Sequence, residues 1–500
     1  MAPADEKRGT EGWLTRAIAL AANKVIPIQA ASPVGEDTPG FSLYEKTVKI
    51  YPRSVSGQFA RLRWVMMWVT QLVFYGLPWL QWNGRQAMLF DLVERRFYVF
   101  GLVLHPQDFI YLAVLLIVAA LALFFFTAVA GRLWCGYACP QSVYTEMFLW
   151  VERHTEGDRQ ARMRLDAAPW SMQKMARKGS KQLAWIGIAL ITGLTFVGYF
   201  SSIRGLLSDL LSLTLSSWEW FWILFYGLAT YGNAGFMREQ ICKHMCPYAR
   251  FQSALIDMDS MVIAYDELRG ESRGSRPRGA DSAVLGLGDC IDCTLCVQVC
   301  PTGIDIRKGL QNECIACAAC IDACDQVMLK MDYPRGLIRY TSGNGLAHDL
   351  NARQIAKRVN RPRVWIYGAL LLLVCCAFAY NLTTRASFSV DVIKDRGALA
   401  REVGQGEIEN VYRLQIMNGI EQAQRYSVSV NGPPDLRISS DPQLEVQAVG
   451  IASLPIRLTL PPEVAAKSRG QTLPIVFEVQ TSVDDRAESR QEKSTFYVLP

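Results

Sequence analysis

The chain has 500 residues, half of them hydrophobic, and a formal net charge of +6. This composition argues against a purely soluble protein. The basic excess needs no nucleic-acid partner, because lysines and arginines beside apolar segments ordinarily set membrane topology and contact the lipid bilayer.

Five apolar segments are long enough to cross a bilayer as helices, which takes about 20 residues each. A buried core helix is the alternative for any one of them. The fourth is the weakest, since Glu219 lies inside it, and an acidic residue within a span would be a functional candidate. The predicted spans are residues 62–82, 109–130, 182–200, 210–231 and 364–382.

The distribution of basic residues predicts the orientation of these spans. Lysine and arginine crowd 1–63, 131–181 and the start of the last span, whereas 201–217 contains only Arg204. We therefore expect the N-terminus and the loop 131–181 on the cytoplasmic side and the C-terminal domain on the other. Twelve of the 14 cysteines then fall on the reducing side, where thiolates remain available as metal ligands.

The second and fourth predicted spans each lead into a C-x₃-C-P motif, CGYACP at 135–140 and CKHMCP at 242–247. Four-residue spacing puts two thiols on one helical face, close enough to share a metal ion. Each proline favours a new helix, so Cys139 and Cys246 are predicted at helix N-termini, where thiolate is favoured. Inert packing cysteines are the alternative, but the repetition of the motif argues against it.

Soft thiolates suit Cu(I), so the sequence predicts copper at these motifs, while zinc or a further iron–sulfur centre stays an alternative. His244 and Met245 are additional ligand candidates. The predicted copper and catalytic residues are Cys135, Cys139, Cys242 and Cys246.

Two C-x₂-C-x₂-C-x₃-C runs, CIDCTLCVQVC and CIACAACIDAC, follow between residues 290 and 324. In this bacterial ferredoxin pattern, three thiolates of one run and the fourth cysteine of the other bind one [4Fe–4S] cluster. A zinc ribbon or disulfide framework would use pairs or scattered cysteines. The predicted ligands are Cys290, Cys293, Cys296 and Cys324 for site I, and Cys300, Cys314, Cys317 and Cys320 for site II.

From Ser387 onward the sequence has short β-rich runs separated by turns, which predicts an antiparallel sandwich of the immunoglobulin type. The predicted strands are 388–393, 411–416, 426–430, 454–460, 475–479 and 496–499. This domain contains no histidine or cysteine, so a structural or interaction role is expected.

The whole pattern predicts a multi-domain membrane protein: an α-helical bundle of about five spans, an α+β two-cluster ferredoxin-like domain and an all-β immunoglobulin-like domain. The predicted divisions are a cytoplasmic N-terminal segment at 1–61, a four-span domain at 62–265, a linker at 266–289, the cluster domain at 290–363, a fifth span at 364–382 and the C-terminal domain at 383–500.

Other candidates are weaker. Cys375 and Cys376 are adjacent within the fifth span, so they point about 100° apart and are expected to pack as small hydrophobic residues. His105, His154 and His348 have no spaced partner and are expected on the surface.

Segments 131–152, 235–257 and 288–324, which carry all of these motifs, closely resemble the CcoG family of cytochrome c oxidase accessory proteins, also called FixG or RdxA. The membrane part is also similar to the polyferredoxin-type subunits NapH and NosR. The resemblance implies a bacterial inner-membrane cupric reductase with a periplasmic C-terminal domain. It also implies that the chain supplies Cu(I) for the copper site of cbb3-type cytochrome c oxidase, working with oxidase assembly factors or a copper transporter.

The sequence therefore predicts an oxidoreductase with two [4Fe–4S] clusters, which takes electrons from an unidentified donor and reduces Cu(II) to Cu(I). Two alternatives stay open. One is an electron-transfer subunit that links quinol to a partner complex, and the other is a copper chaperone or scaffold in which the clusters are structural.

Overall fold

The computed structural model describes residues 49–500 apart from 281–283, 349, 396, 398, 405, 484 and 485. Most of the predicted N-terminal segment, residues 1–48, lies outside the described residues. The longer helices are α1 (Gln58–Gly76), α2 (Phe109–Ala130), α3 (Pro140–Glu156), α4 (Arg159–Ala167), α5 (Met172–Val197), α6 (Ile203–Leu211), α7 (Ser217–Gly235), α8 (Pro247–Leu255), α9 (Ala319–Lys330), α10 (Ala352–Val359) and α11 (Pro362–Thr383). Shorter helical turns are Leu77–Trp79, Pro106–Asp108, Leu133–Tyr137, Arg238–Gln240, Ile241–Met245, Glu267–Gly270, Leu295–Gln298, Ile306–Lys308, Gly343–Ala347 and Pro462–Lys467.

Three helices, α2, α5 and α11, are long and apolar enough to cross a membrane. Helices α1 and α7 have 19 residues each and correspond to the first and fourth predicted spans. They do not meet the same combination of length, hydropathy and low charge. The described part of the chain thus contains three candidate spans, and the number five stays a prediction.

The ends of two predicted spans were wrong. The first helix stops at Gly76, because Pro78 lies in a tight turn that leads into a small hairpin of Gln81–Trp82 and Arg85–Gln86. The fourth predicted span is interrupted between α6 and α7. Glu219 lies in the first turn of α7, where its backbone N–H donates to Ser216 Oγ at 3.3 Å and its carboxylate accepts from the Ser216 N–H at 2.9 Å. Glu219 therefore caps a helix.

The segment 131–181, predicted as a loop, is mostly helical: it contains α3, α4 and the first turns of α5. Helix α3 packs against α5 and α7 through a buried cluster around Phe148 and Trp185, whose rings stack with centroids 5.0 Å apart. Helices α5 and α7 also approach closely, since a Cβ at Gly193 would clash with the Ile223 carbonyl oxygen. Small residues permit such close helix contacts.

A buried charge network fixes α3 in this bundle. Glu152 is 4% exposed and pairs with Arg162 at 2.6 Å and with Arg238 at 2.8 Å. Burial alone would raise the pKa of Glu152, but the guanidinium groups of Arg238 and Arg162 hold it below its usual value. The carboxylate thus ties α3 to α4 and to the turn after α7.

We expect Glu152→Gln to lower the free energy of unfolding by about 3–5 kcal/mol, because it leaves the buried guanidinium of Arg162 and the partly buried one of Arg238 without their counter-charge. Glu146→Gln is the matched control on the same helix, since the Glu146–Arg153 pair at 3.2 Å is more exposed and should contribute less than about 1 kcal/mol. Denaturant unfolding of the purified chain measures both. Equal losses in the two variants would contradict this account.

The cluster domain combines an antiparallel pair of strands, Val262–Tyr265 and Ile338–Thr341, with helix α9. Their buried side chains, including Ile263, Met328 and Ile338, form a core around the cysteine runs. The α+β ferredoxin-like prediction agrees with this arrangement.

The predicted linker 266–289 makes ordered contacts with the cluster domain. Arg269 donates to the Arg335 carbonyl at 3.1 Å, and the buried Arg276 donates to the Tyr333 hydroxyl at 2.9 Å. Within the segment, Arg269 pairs with Asp289 at 2.6 Å. These described parts of the segment are folded, although the domain boundaries themselves stay predictions.

The C-terminal region forms two antiparallel sheets around a shared apolar core that includes Leu414, Ile456 and Phe477. One sheet contains Phe388–Lys394, Arg401–Val403, Glu407–Asn418, Arg437–Ile438 and Ile451–Leu460, and the other Gln424–Asn431, Gln443–Val446, Thr472–Val483 and Arg486–Tyr497. The last strand begins ten residues before the predicted 496–499, because its first half is polar and it lies at a sheet edge.

This domain contacts the other end of the helical part. A second small sheet, of Met88–Asp91, Arg96–Val99 and Leu102–Leu104, precedes α2. Arg85 Nε donates to Glu421 Oε1 at 2.8 Å, and Arg385 pairs with Asp108 at 2.5 Å. The domain is thereby held where α2 begins and α11 ends.

The orientation can be tested with reporter fusions after Lys181 and after Arg385. We expect the reporters on opposite sides of the membrane, since three predicted spans, carried by α5, α7 and α11, separate the two points. Paired alkaline phosphatase and fluorescent-protein fusions give the readout. If both reporters lie on one side, one of these helices does not cross, and α7 is the first to suspect.

Candidate functional site

The two predicted ligand sets line two separate cavities in the cluster domain. One cavity is lined by Cys290, Cys293, Cys296 and Cys324, the residues of site I. The other is lined by Cys300, Cys314, Cys317 and Cys320, the residues of site II, with Cys296 beside them. Each cavity therefore takes its fourth cysteine from the other run, as the ferredoxin pattern requires.

The backbone repeats in the same way around both sites. Asp292 and Thr294 flank Cys293 with positive φ angles of 54° and 55°. Ala316 and Ala318 flank Cys317 with φ angles of 54° and 59°. Left-handed non-glycine residues are costly and concentrate at binding sites, where such turns direct backbone N–H groups toward an anion. Cavity, cysteines and backbone all fit a four-thiolate cluster at each site.

Among the described residues, no group of three or more His, Cys, Asp or Glu side chains could hold a single metal ion. In the described structure the paired C-x₃-C-P motifs therefore do not place three or four thiols around one ion. Two thiolates can still hold one Cu(I), which soft sulfur ligands suit.

The two C-x₃-C-P motifs have the same local geometry. In each, the N–H of the second cysteine reaches back five residues: Cys139 to the Trp134 carbonyl at 3.0 Å, and Cys246 to the Ile241 carbonyl at 2.8 Å. The second cysteine then precedes a helix whose first residue is proline, α3 or α8. Wide turns of this kind are frequent at functional sites. The predicted helix starts at Pro140 and Pro247 are confirmed.

Two details of the prediction were wrong. The cysteines of a motif do not lie on one continuous helix, because Cys139 and Cys246 are extended, with ψ of 128° and 108°. The predicted preference of Cys139 for the thiolate form was also wrong, because burial raises its pKa and outweighs the backbone N–H groups that face it. Burial also raises the pKa of Cys135 to about 12 and that of Cys242 to about 11. A bound metal ion would have to displace these protons.

The four motif cysteines nevertheless form one group. Cys135 interacts electrostatically with the other three, and each of them is partly buried. The Cys135 thiol donates to Gln252 Oε1 at 3.2 Å, and Gln252 is a buried residue of α8, the helix that follows the second motif. The structure thus brings together Cys135, Cys139, Cys242 and Cys246 from the two distant motifs.

Arg132 connects this group to site II. Its guanidinium donates to the Asn312 and Cys314 carbonyls of the site II loop and, at 2.7 Å, to the Ala249 carbonyl of α8. It is 7% exposed and has no ion-pair partner among the described residues. Its positive charge lowers the pKa of Cys135, Cys242 and Cys314 against the larger effect of burial. Sequence reasoning missed Arg132, although a basic residue beside an apolar cysteine motif was a visible signal.

The first motif also packs directly on the site II loop. A Cβ at Gly136 would lie 2.8 Å from the Ile315 carbonyl oxygen and 2.9 Å from that of Ala316. The hydroxyls of Tyr137 and Tyr340 are 3.3 Å apart, and Tyr340 donates to the Ala316 carbonyl at 2.6 Å. The cysteine motif and the predicted cluster ligands are therefore in contact through backbone atoms.

We expect Gly136→Ala to destabilise the protein by about 1–3 kcal/mol, because the new methyl group meets backbone that cannot move aside freely. Gly179→Ala is the control, since a Cβ at that position meets nothing within 4 Å. The midpoint of thermal unfolding measures the difference. A Gly136→Ala protein as stable as the control variant would show that this contact is loose.

The remaining candidates lie elsewhere. His244 and Met245 are exposed, and so are His154 and His348. The prediction for His105 was wrong, since this residue is 3% exposed. Cys375 and Cys376 lie in α11, Cys376 being exposed.

A larger cavity lies between α1, α3 and the site II loop. Trp64 and Met67 of α1 line it together with Tyr137, Cys242 and Cys317. It therefore reaches both a motif cysteine and a predicted site II ligand.

Comparison with known protein families agrees with this architecture. Residues 237–343 match a 4Fe-4S dicluster domain, residues 112–156 match a 4Fe-4S binding domain, and residues 378–498 match the IG-like fold at the C-terminus of FixG. The fold and the cysteines thus define a redox protein with iron–sulfur domains, helices that suggest membrane association and a C-terminal immunoglobulin-like domain.

The chain is 39% identical over 450 residues to nitrogen fixation protein FixG of Rhizobium meliloti. The alignment covers 83% of this chain and 86% of that protein. It is 41% identical to protein RdxB and 40% identical to protein RdxA, both of Cereibacter sphaeroides. These alignments cover 85% and 84% of this chain, respectively, and 90% of each relative. The chain belongs to the FixG/RdxA family. A crystal structure of a FixG-related protein from Vibrio parahaemolyticus aligns with 22% of this chain and 96% of its own, at 21% identity and a TM-score of 0.19.

Proposed function

We propose that this protein is a membrane cupric reductase that supplies Cu(I) for the copper site of a cbb3-type cytochrome c oxidase. Two [4Fe–4S] clusters at sites I and II, when bound, supply one-electron transfer. Each Cu(II) at the paired thiols takes up one electron and leaves as Cu(I), and an electron donor outside the chain supplies that electron.

The contact between the first cysteine motif and the site II loop carries this proposal. Gly136 packs on the backbone of residues 315–317, and Arg132 bonds to both the loop and α8. Short, rigid contacts of this kind are what an electron path from a cluster to a metal ion needs. Thiolates also favour Cu(I) over Cu(II), so the site would stabilise the product of the reduction.

A second candidate function is electron transfer between quinol and a partner complex. The cavity lined by Trp64, Met67 and Cys317 favours it, because two apolar side chains of α1 lie beside a predicted cluster ligand and would suit the ring of a quinol. Arg63, which also lines this cavity, could donate to the quinol oxygens. Copper would then be incidental.

The test is anaerobic purification of the full chain, followed by iron, sulfide and copper analysis and a Cu(I)-chelator assay with added reductant. We expect Cu(I) to form faster than with reductant alone and to require the iron-loaded protein. The same preparation is mixed with a quinol, and cluster reduction is followed by absorbance.

Three outcomes separate the functions. Cu(I) formation that depends on iron supports the reductase. Cluster reduction by quinol without added Cu(I) formation supports the electron-transfer subunit. Copper binding that survives when serine replaces a cluster cysteine, with no reduction in either protein, supports a chaperone or scaffold and contradicts the proposal.

A further inference from the structure

A second polar site lies at the opposite end of α2 from the cysteine motifs, at the junction between the helices and the C-terminal domain. A cavity there is lined by His105, Asp108, Tyr111, Arg385 and Arg490, among others. Tyr111 belongs to the first turn of α2, and Arg385 follows the end of α11 by two residues. The cavity therefore lies where two candidate spans reach the same boundary.

His105 presents an unmet hydrogen-bonding group in this cavity. It is 3% exposed, and its Nε2 atom has no hydrogen-bond partner among the described residues. Burial lowers the pKa of His105, so the ring is neutral and carries a single N–H. A buried polar group without a partner destabilises a fold unless a ligand or a water molecule forms the missing hydrogen bond.

The charges around the cavity favour an anion as the hydrogen-bond partner of His105. Asp108 is the lining carboxylate, and it is already paired with Arg385 at 2.5 Å. Arg490 is exposed and has no ion-pair partner within the described part of the chain, and Arg96 adds positive charge near His105. Two guanidinium groups and one carboxylate line the cavity, and this net positive charge disfavours a metal cation even with His105 and Met417 present.

We infer that this cavity binds an oxyanion, with the His105 Nε2–H and the Arg490 guanidinium as donors. Guanidinium and N–H groups suit phosphate oxygens. The anion has two candidate sources with the same chemistry: the phosphate of a phospholipid headgroup, which lies at the ends of membrane spans, or free phosphate from solution.

The experiment uses the full chain in two arms. In the first, thermal unfolding in detergent is measured against phosphate concentration, with chloride at equal ionic strength as the reference. In the second, the chain is reconstituted with phosphatidylcholine alone or with added phosphatidylglycerol, and retained lipid is measured by native mass spectrometry.

Arg490→Gln tests the site, and Arg469→Gln is the control, since Arg469 is an exposed arginine of the same domain that does not line the cavity. We expect Arg490→Gln to weaken the apparent phosphate affinity by about tenfold, or to lose the retained phosphatidylglycerol, while the control behaves as wild type. His105→Leu should have the same effect, because it removes the other donor.

The arms identify the source. A saturating response to phosphate without retained lipid supports a free anion, and either phospholipid retained without a phosphate response, and lost in Arg490→Gln, supports a headgroup. No response in either arm overturns the inference. A single buried water bonded to His105 would give that result. Equal responses of wild type and Arg490→Gln overturn it too.

Discussion

Replacing Cys139 and Cys246 by serine should reduce the rate of Cu(II) reduction by about 100-fold or more while leaving both clusters in place. A hydroxyl is a far poorer ligand for soft Cu(I) than a thiolate, and even changes in residues behind a metal ligand lower affinity or activity by about 10–100-fold. Neither residue lines site I or site II. The measurement is the Cu(I)-chelator assay, with iron and sulfide analysis of the same sample.

The fifth helix offers the matched control. Cys375→Ser and Cys376→Ser make the same atomic change in α11, away from both motifs, and should alter the rate little. A double variant of Cys139 and Cys246 that keeps wild-type copper binding and rate, while an α11 variant loses them, would place the copper site in α11.

Iron analysis of the wild-type protein should give about eight iron and eight labile sulfide per chain, with reduced-state EPR signals from [4Fe–4S] centres. Cys317→Ser should reduce this to about four, because Cys317 lines only the site II cavity of the two and its hydroxyl replacement no longer holds a corner of the cube. Tyr340→Phe is the control, since it alters a hydrogen bond to the same loop without removing a thiolate.

Other iron contents would each change the assignment. About four iron in wild type, or zinc in place of iron, contradicts two clusters. About twelve would place a third cluster at the paired motifs, whose four thiols do not surround a single ion, and copper would lose its proposed ligands.

Local sequence patterns predicted the parts of the site that depend on neighbouring residues. The spacing within each ferredoxin run predicted the two sets of cysteines that line the cavities, although Cys296 lines both, and the prolines predicted where α3 and α8 begin. One local signal was overlooked. Ser216-x-x-Glu219 is a capping box, and it would have moved the start of α7 to its observed place.

The contacts between distant segments could not be predicted in this way. Arg132 meets the site II loop 180 residues later along the chain, and Gln252 meets Cys135 across 117 residues. His105, which is buried, lines one cavity with Arg385 and Met417 of the C-terminal domain. No periodicity or spacing reports such pairings, since they are set by how whole elements pack.

The unpaired charge of Arg132 has a consequence for how the protein is made. Backbone carbonyls hold this guanidinium, but no carboxylate offsets its charge. The thiols around it are neutral until a metal centre ionises them. Cofactor insertion would therefore add negative charge beside Arg132 and strengthen the contact between the helices and the cluster domain. Limited proteolysis should then cleave the iron-free protein faster than the iron-loaded protein at this contact.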